Sequence, residues 1–143
     1  MFTWLIKDFK SLQDRRIQSQ EFDAGGCRWC LLVYPNGKEG RNSVSLYLLV
    51  VGYKDLPPGW KITAKFSLRI VNNFSESLSE QGTEETWFNR DYPACGRNNW
   101  LHRSKLNNGF LVNGDLKIVA EVEVLHKSGV ETHEEMEDLD YQL

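Results

Sequence analysis

The sequence has few cysteines and no long hydrophobic run, and each shortage excludes a class of protein. Three cysteines in 143 residues are too few, and odd in number, for the disulfide framework of a small secreted domain. No apolar stretch approaches the ~20 residues that span a bilayer, so we expect no membrane partner. The start, MFTWLIKDF, lacks the basic region and cleavage site of a secretory signal. Together these features predict an intracellular protein, cytoplasmic or nuclear.

The chain also has no excess of positive charge. Its formal net charge is −3, which gives no basic footprint for nucleic acid. The hydrophobic fraction of 41% and the charged fraction of 26% are those of a globular protein. A chain of 143 residues is long enough to bury about two-thirds of its unfolded surface in one domain.

Alternation of apolar and polar residues with period two is the strongest local signal. It runs through KITAKFSLRIV from residue 61 and through DLKIVAEVEVL from residue 115. It predicts antiparallel strands with one buried and one solvent-exposed face. The stretches FTWLI, IQSQEF, CRWCLLVYP, NSVSLYLLVV and TWFNR add further strands. Residues 72–85 are polar and predict a solvated excursion with at most a short strand, and NNWLHRSKLNNG predicts one helical turn. The sequence therefore predicts an all-β antiparallel sandwich of about seven to eight strands with little helix.

The pair Cys27 and Cys30 has the spacing of a redox or zinc motif. Residues three apart in a strand point to opposite faces, and their Cα atoms lie ~10 Å apart, which is too far for a disulfide or a shared metal ion. The exception would be a turn at Gly25 and Gly26 that holds Cys27 outside the strand. No second close ligand pair accompanies them, and no catalytic motif occurs elsewhere. We therefore expect packing cysteines, no metal or other cofactor, and no enzyme activity.

Two features leave alternatives open. Trp60 follows a Pro-Pro-Gly turn, and Trp87 and Trp100 flank the least regular part of the chain. If any two of these tryptophans are exposed, they favour a lectin-like, sugar-stacking surface. The segment 127–143 becomes acidic, and its Met136, Leu139 and Leu143 have coiled-coil spacing. This tail is either disordered or the start of a coiled-coil helix, through which the protein would form a homo-oligomer.

Five blocks occur in an order that resembles the MATH domain, the meprin and TRAF homology family. They are FTWLIKDF, EFDAGGCRWCLLVYPNG, SVSLYLLV, LPPGWKITAKFSLRIVN and GFLVNGDLKIVAEVEVL. The resemblance covers residues 1–126 and is strongest to the plant branch, in which the domain often precedes a coiled coil. It implies an eight-stranded TRAF-like sandwich and makes the cysteine block a structural strand.

The resemblance also implies a function. MATH domains typically act as adaptors that bind an extended peptide of a partner protein by strand addition in a shallow groove. Peptide-binding relatives carry Asp-Trp-Gly-Phe in the receiving strand, where this chain has Ala94-Cys95-Gly96-Arg97. The expected groove residues are Tyr47, Phe66, Cys95, Gly96, Arg97, Asn98 and Trp100.

Three questions about the expected groove remain open: the role of Arg97, the role of Phe66, and whether the groove still binds peptides. Arg97 would favour acidic or phosphorylated peptides, or it is a solvated surface residue. Phe66 lies on the apolar side of its strand, so it is either a core residue or a groove residue. If the groove has decayed, the domain is instead a structural or self-association module.

Overall fold

Two antiparallel sheets packed face to face form the protein. The structure, a computed structural model, describes residues 1–130. The first sheet has the strand order β1-β10-β6-β7 with β9 beside β10, and the second has the order β2-β4-β5-β8 with β3 beside β4. Within residues 1–130 the strands are β1 (Phe2–Ile6), β2 (Ile17–Gln18), β3 (Phe22–Ala24), β4 (Cys27–Tyr34), β5 (Ser43–Val50), β6 (Lys61–Ile70), β7 (Glu80–Phe88), β8 (Ala94–His102), β9 (Leu111–Val112) and β10 (Asp115–Ser128).

The predicted all-β sandwich is confirmed. Seven of these strands have five or more residues, and the other three have two or three. In residues 1–130, helix is limited to three single 3₁₀ turns, at Phe9–Ser11, Glu76–Leu78 and Arg103–Lys105. Within the described part of the chain, no helix is long and apolar enough to cross a bilayer.

The inward faces of the two sheets form one core. On β6 the alternating apolar residues from Ile62 to Ile70 are at most 2% exposed, as the period-two pattern predicts. Trp29 from the second sheet packs edge to face against Phe88 from the first, with ring centroids 5.2 Å apart. Burying each such side chain stabilises the fold by about 1.5–3 kcal/mol.

The expectations for residues 72–85 and 98–109 need correction. Strand β7 begins at Glu80 and has nine residues, although its sequence shows no clear alternation. It is an edge strand, so most of its residues on both faces remain partly exposed and polar. The predicted helical turn is present as the 3₁₀ turn Arg103–Lys105, but the residues before it, Asn98–His102, complete β8.

The predicted domain boundary at residue 126 lies inside the last strand. β10 continues to Ser128, which pairs with Lys61, and Val130 is partly buried against the core. The remainder of the predicted tail, residues 131–143, lies outside the described residues.

Candidate functional site

An apolar surface covers the face of the second sheet that points away from the first sheet. The strand registers align Gln18, Leu32, Tyr47 and Gly96 in one row across β2, β4, β5 and β8. We call this face the outer surface. A depression of about 360 Å³ opens on it, and its apolar lining is Leu32, Tyr34, Tyr47, Leu49, Tyr53, Pro93 and Ala94.

Tyr47 lies at the centre of the outer surface. It points away from the core, as expected from its position between the buried Leu46 and Leu48. Its ring packs edge to face with Tyr34 at 6.1 Å. Burial, with Tyr34 and Glu39 adding to it, raises the pKa of the Tyr47 hydroxyl. The protonated hydroxyl is a hydrogen-bond donor.

Strand β8 forms one edge of the second sheet. Among residues 1–130 its strand partner is β5 alone. The amide of Val50 donates to the carbonyl of Pro93 at 3.0 Å, which fixes the alternation of hydrogen bonds along the pair. By this alternation Cys95 and Arg97 bond to β5, whereas the backbone groups of Ala94 and Gly96 point to the open edge.

The small residues of β8 make the outer surface shallow beside Tyr47 and Leu49. Ala94 and Gly96 are their register partners on β8 and present almost no side chain. Gly96 also has a packing role, because a Cβ there would lie 2.1 Å from the carbonyl oxygen of Leu46 and 2.6 Å from the Cα of Tyr47. The two strands approach too closely for any other residue.

Arg97 points to the other side of β8, towards the first sheet. Its guanidinium lies 4.7 Å from the ring centroid of Trp100, and its Nε lies 3.9 Å from Glu84 Oε1 on β7. The side chain remains 47% exposed. Arg97 therefore already has a carboxylate and an aromatic partner within the domain, and it does not contribute to the outer surface.

A bulge separates the two halves of β8. The register with β5 shifts between Val44 and Leu46, so Asn98, Asn99 and Trp100 all lie opposite Ser45. Ser45 Oγ donates to the Asn98 carbonyl at 2.7 Å, and Asn98 Nδ2 donates to Glu39 at 3.0 Å. The Asn98 side-chain oxygen is buried without a hydrogen-bond partner among the described residues.

Two of the predicted groove residues belong to the core. Phe66 is 2% exposed, lies in the first sheet and packs near Phe88, so the core alternative is correct and the groove alternative is wrong. Trp100 is 7% exposed, and its Nε1–H donates to the Leu46 carbonyl at 2.9 Å. Of the seven residues expected from the sequence, the strand register thus places Tyr47 and Gly96 side by side on the outer surface.

The cysteines are packing residues, as expected. Cys27 is buried on the core side, and Cys30 is buried on the opposite face of the same strand. Burial raises the pKa of the Cys30 thiol to about 11, and burial with nearby Glu84 raises that of Cys95. These shifts disfavour the reactive thiolate. No cluster of three or more His, Cys, Asp or Glu side chains in residues 1–130 is arranged to hold a metal ion.

Sequence reasoning missed a group of cations at one end of the outer surface. Arg16 and Lys38 line the depression, and Arg15 lies over the Tyr34 ring at 6.0 Å. Lys38 Nζ lies 5.2 Å from the centroid of Tyr47. Arg15 and Arg16 are adjacent in the sequence, but only the register places them beside Lys38.

The tryptophans do not form a shared exposed platform. Trp87 is 46% exposed and packs edge to face with Tyr92, whereas Trp100, Trp29 and Trp60 are buried. The lectin-like alternative required two of Trp60, Trp87 and Trp100 at the surface, and of these only Trp87 is exposed.

Comparisons with known proteins agree with the fold. The MATH domain family model matches residues 1–122. One MATH domain and coiled-coil domain-containing protein of Arabidopsis thaliana is 49% identical over 131 residues, which cover 90% of this chain and 38% of the relative. A second is 43% identical over 141 residues, covering 96% of this chain and 43% of the relative.

The chain thus spans well under half the length of these curated relatives. Among solved structures, Notothenia coriiceps TRAF5 matches with a TM-score of 0.65 and 19% identity, covering 91% of this chain and 74% of that chain. At this identity the likeness concerns the fold alone.

Proposed function

Because this chain belongs to the MATH domain family, we propose that it is a non-enzymatic adaptor module that binds extended peptide segments of partner proteins by adding a strand to β8. Protein interaction is the general role of MATH and TRAF-like domains. The observation that carries the proposal is the open edge of β8 beside an apolar surface. An added strand would bond to the backbone of Ala94 and Gly96 and place alternate side chains near Tyr47 and Leu49.

The ligand's remaining side chains would point towards β7. There they would meet Cys95, and they would meet Arg97 only after the guanidinium leaves Glu84. We propose that Arg97 gives the site its preference for acidic or phosphorylated residues, since a bidentate anion would replace one long contact with two short ones. Substituting Arg97→Gln should remove this preference and leave the binding of neutral peptides unchanged.

Amide hydrogen exchange on the isotope-labelled chain tests strand addition. The ligand is a pool of unstructured peptides, half of them acidic or phosphorylated. Exchange should slow at Ala94 and Gly96, whose N–H groups gain partners, and stay the same at Cys95 and Arg97, which already pair with β5. If millimolar peptide slowed exchange equally at all four amides, or slowed it at none of them, strand addition at this edge would be contradicted.

A pair of tyrosine variants tests the outer surface. Tyr47→Ser removes an aromatic side chain from the depression, and we expect peptide affinity to fall about tenfold or more, since burying such a ring contributes about 1.5–3 kcal/mol. Tyr92→Ser is the matched control, because Tyr92 is 65% exposed, packs against Trp87 on β7 and does not line the depression. Equal affinities for the two variants would exclude the outer surface as the binding site.

A further inference from the structure

Before its bulge, β8 has only two residues whose backbone groups point to the open edge. By the alternation along the β5–β8 pair, these are Ala94 and Gly96, each with one N–H and one C=O. Both residues are partly exposed. The next residues in the alternation are Tyr92 on one side and Asn98 on the other, and both are already engaged.

The turn that leads into β8 uses the backbone groups of Tyr92. Its amide donates to Asn89 Oδ1 at 2.8 Å, and its carbonyl accepts from the Asn89 amide at 3.2 Å. Pro93 follows, which has no amide proton and whose carbonyl accepts from Val50 on β5. A ladder of hydrogen bonds between β8 and a ligand strand therefore begins at Ala94.

The bulge in β8 closes the other end of this ladder. Asn98 follows Gly96 in the alternation, but its carbonyl accepts a hydrogen bond from Ser45 Oγ at 2.7 Å. Because Ser45 is fully buried on β5, this carbonyl is directed towards β5 and away from the open edge. The ladder available to a ligand strand therefore ends at Gly96.

The burial of β5 marks the same two positions. Of its eight residues only Tyr47 and Leu49 are partly exposed, and the other six are buried. Tyr47 is the register partner of Gly96, and Leu49 is the register partner of Ala94. The backbone of β8 and the side chains of β5 thus independently limit the site to two ligand residues.

An antiparallel ligand strand fits these two positions. One ligand residue opposite Gly96 and another opposite Ala94 would exchange all four backbone hydrogen bonds, and side chains of directly opposite residues point to the same face. Those two ligand side chains would therefore lie near Tyr47 and Leu49 in the apolar depression, which favours apolar residues. A parallel strand would spread the same four bonds over three residues, with slanted and slightly weaker bonds.

The neighbouring ligand residues would point towards the first sheet. The residue before the first apolar one would lie opposite Arg97, in a pair without mutual backbone bonds, where side chains approach most closely. The residue between the two apolar ones would lie opposite Cys95. Glu84 lies near Cys95, since its charge contributes to the raised pKa of that thiol. A ligand carboxylate is therefore favoured opposite Arg97 and disfavoured opposite Cys95.

We propose that β8 reads a four-residue motif in the order acidic, apolar, uncharged, apolar, bound antiparallel through the backbone of the two apolar residues alone. A phosphorylated residue would serve as the acidic one. The motif rests on the proposed function, because it specifies the ligand of the same site. Peptides that extend beyond these four residues should gain no further backbone bond to Tyr92 or Asn98.

Two peptides of identical composition test the order and the direction. Both are capped and have the same flanking residues, but one has the core Asp-Leu-Thr-Leu and the other Leu-Thr-Leu-Asp. In fluorescence anisotropy the first should bind about threefold or more tighter, the effect expected of a partly exposed ion pair. Arg97→Gln should abolish this difference. Equal affinities for the wild type, tighter binding of the second peptide, or a difference that persists in Arg97→Gln would overturn the motif.

Methylation of single peptide amides tests the two-residue ladder. In the first peptide both leucine amides would donate to β8, so N-methylation of either should weaken binding about tenfold or more. The threonine amide would point away from β8, so its methylation is the matched control and should change the affinity by less than about twofold. Equal losses at threonine and at the leucines would overturn the ladder.

Hydrogen exchange separates a failure of the motif from a failure of the proposed function. Slower exchange at Ala94 and Gly96 with both peptides, without a preference between them, would retain strand addition and refute the motif alone. The motif alone would also be refuted if neither peptide bound at millimolar concentration while the mixed peptide pool still protected these two amides. Absence of protection with every peptide would refute both.

Discussion

At the scale of single residues, Gly96 shows how a sequence position acquires two roles. The position matches a family motif, which suggested a contribution to a groove. The structure adds that Gly96 lies directly opposite Tyr47 on β5, so close that a Cβ at position 96 would overlap backbone atoms of β5. The same lack of a side chain keeps the outer surface open beside Tyr47.

Substituting Gly96→Ala should therefore destabilise the fold by about 1–3 kcal/mol, as other insertions into tightly packed sites do. Urea unfolding followed by tryptophan fluorescence measures this change. The control is Asn99→Ala, an exposed position on the same strand, which should change the free energy of unfolding by less than about 0.5 kcal/mol. A Gly96→Ala variant as stable as this control would show that β8 can move away from β5.

At the scale of elements, one buried hydroxyl joins the β4–β5 hairpin to the bulge in β8. Ser45 is fully buried, and its Oγ accepts from the Lys38 amide at 2.9 Å while donating to the Asn98 carbonyl at 2.7 Å. This serine fixes the turn that holds Lys38 beside the outer surface, and it fixes the register shift that turns Trp100 into the core.

Replacing Ser45→Ala leaves both backbone partners without this hydrogen bond. We expect a loss of about 1–3 kcal/mol in the free energy of unfolding, the usual cost of unsatisfied buried groups. The matched control is Ser67→Ala on β6, whose side chain is partly exposed on the outer face of the first sheet. Equal, small losses for the two variants would mean that water replaces the hydroxyl.

At the scale of the whole molecule, the first strand pairs with β10, the final strand of residues 1–130, within the first sheet. Strand β1 pairs with β10, and Asp115 at the start of β10 accepts hydrogen bonds from the Asp8 amide at 3.0 Å and from Lys7 Nζ at 3.1 Å. The Asp8 amide is the main cause, and Lys7 the second, of a pKa of Asp115 below its ordinary value. The charged carboxylate is thus favoured in the folded state.

This lowered pKa predicts the sign of a pH effect. The stabilisation is complete above the ordinary pKa of an aspartate, about 3.9, and is lost as the pH falls through the lower folded value. The stability advantage of the wild type over Asp115→Asn should therefore be present at neutral pH and vanish in strong acid. The stability advantage of the wild type over Lys7→Gln should have the same pH dependence but be smaller, because the hydrogen bond from the Asp8 amide remains in that variant. An advantage that is constant with pH in urea titrations would disprove the linkage.

Much of the fold followed from patterns that are local in the sequence. Alternation identified β6 and β10 because one of their faces is buried and the other is wet, and the ordered blocks identified the family. Strand β7 was missed over Glu80–Glu85 because an edge strand has no fully buried face, so the pattern that identifies strands is weak there. Likewise, the polar residues at the end of β8 resembled a helical turn until their pairing with β5 was known.

The sequence by itself determined an antiparallel sandwich, because burial on one face imposes a pattern on neighbouring residues. The ordered blocks indicated the MATH family, and the spacing of Cys27 and Cys30 along a strand indicated packing cysteines. The tertiary structure decided which residues share a surface. Register between distant strands pairs Tyr47 with Gly96 and brings Arg97 near Glu84, and the folded chain brings Arg16 and Lys38 together around a tyrosine pair. Register depends on pairing between residues far apart in the chain, and no local pattern of this sequence encodes it.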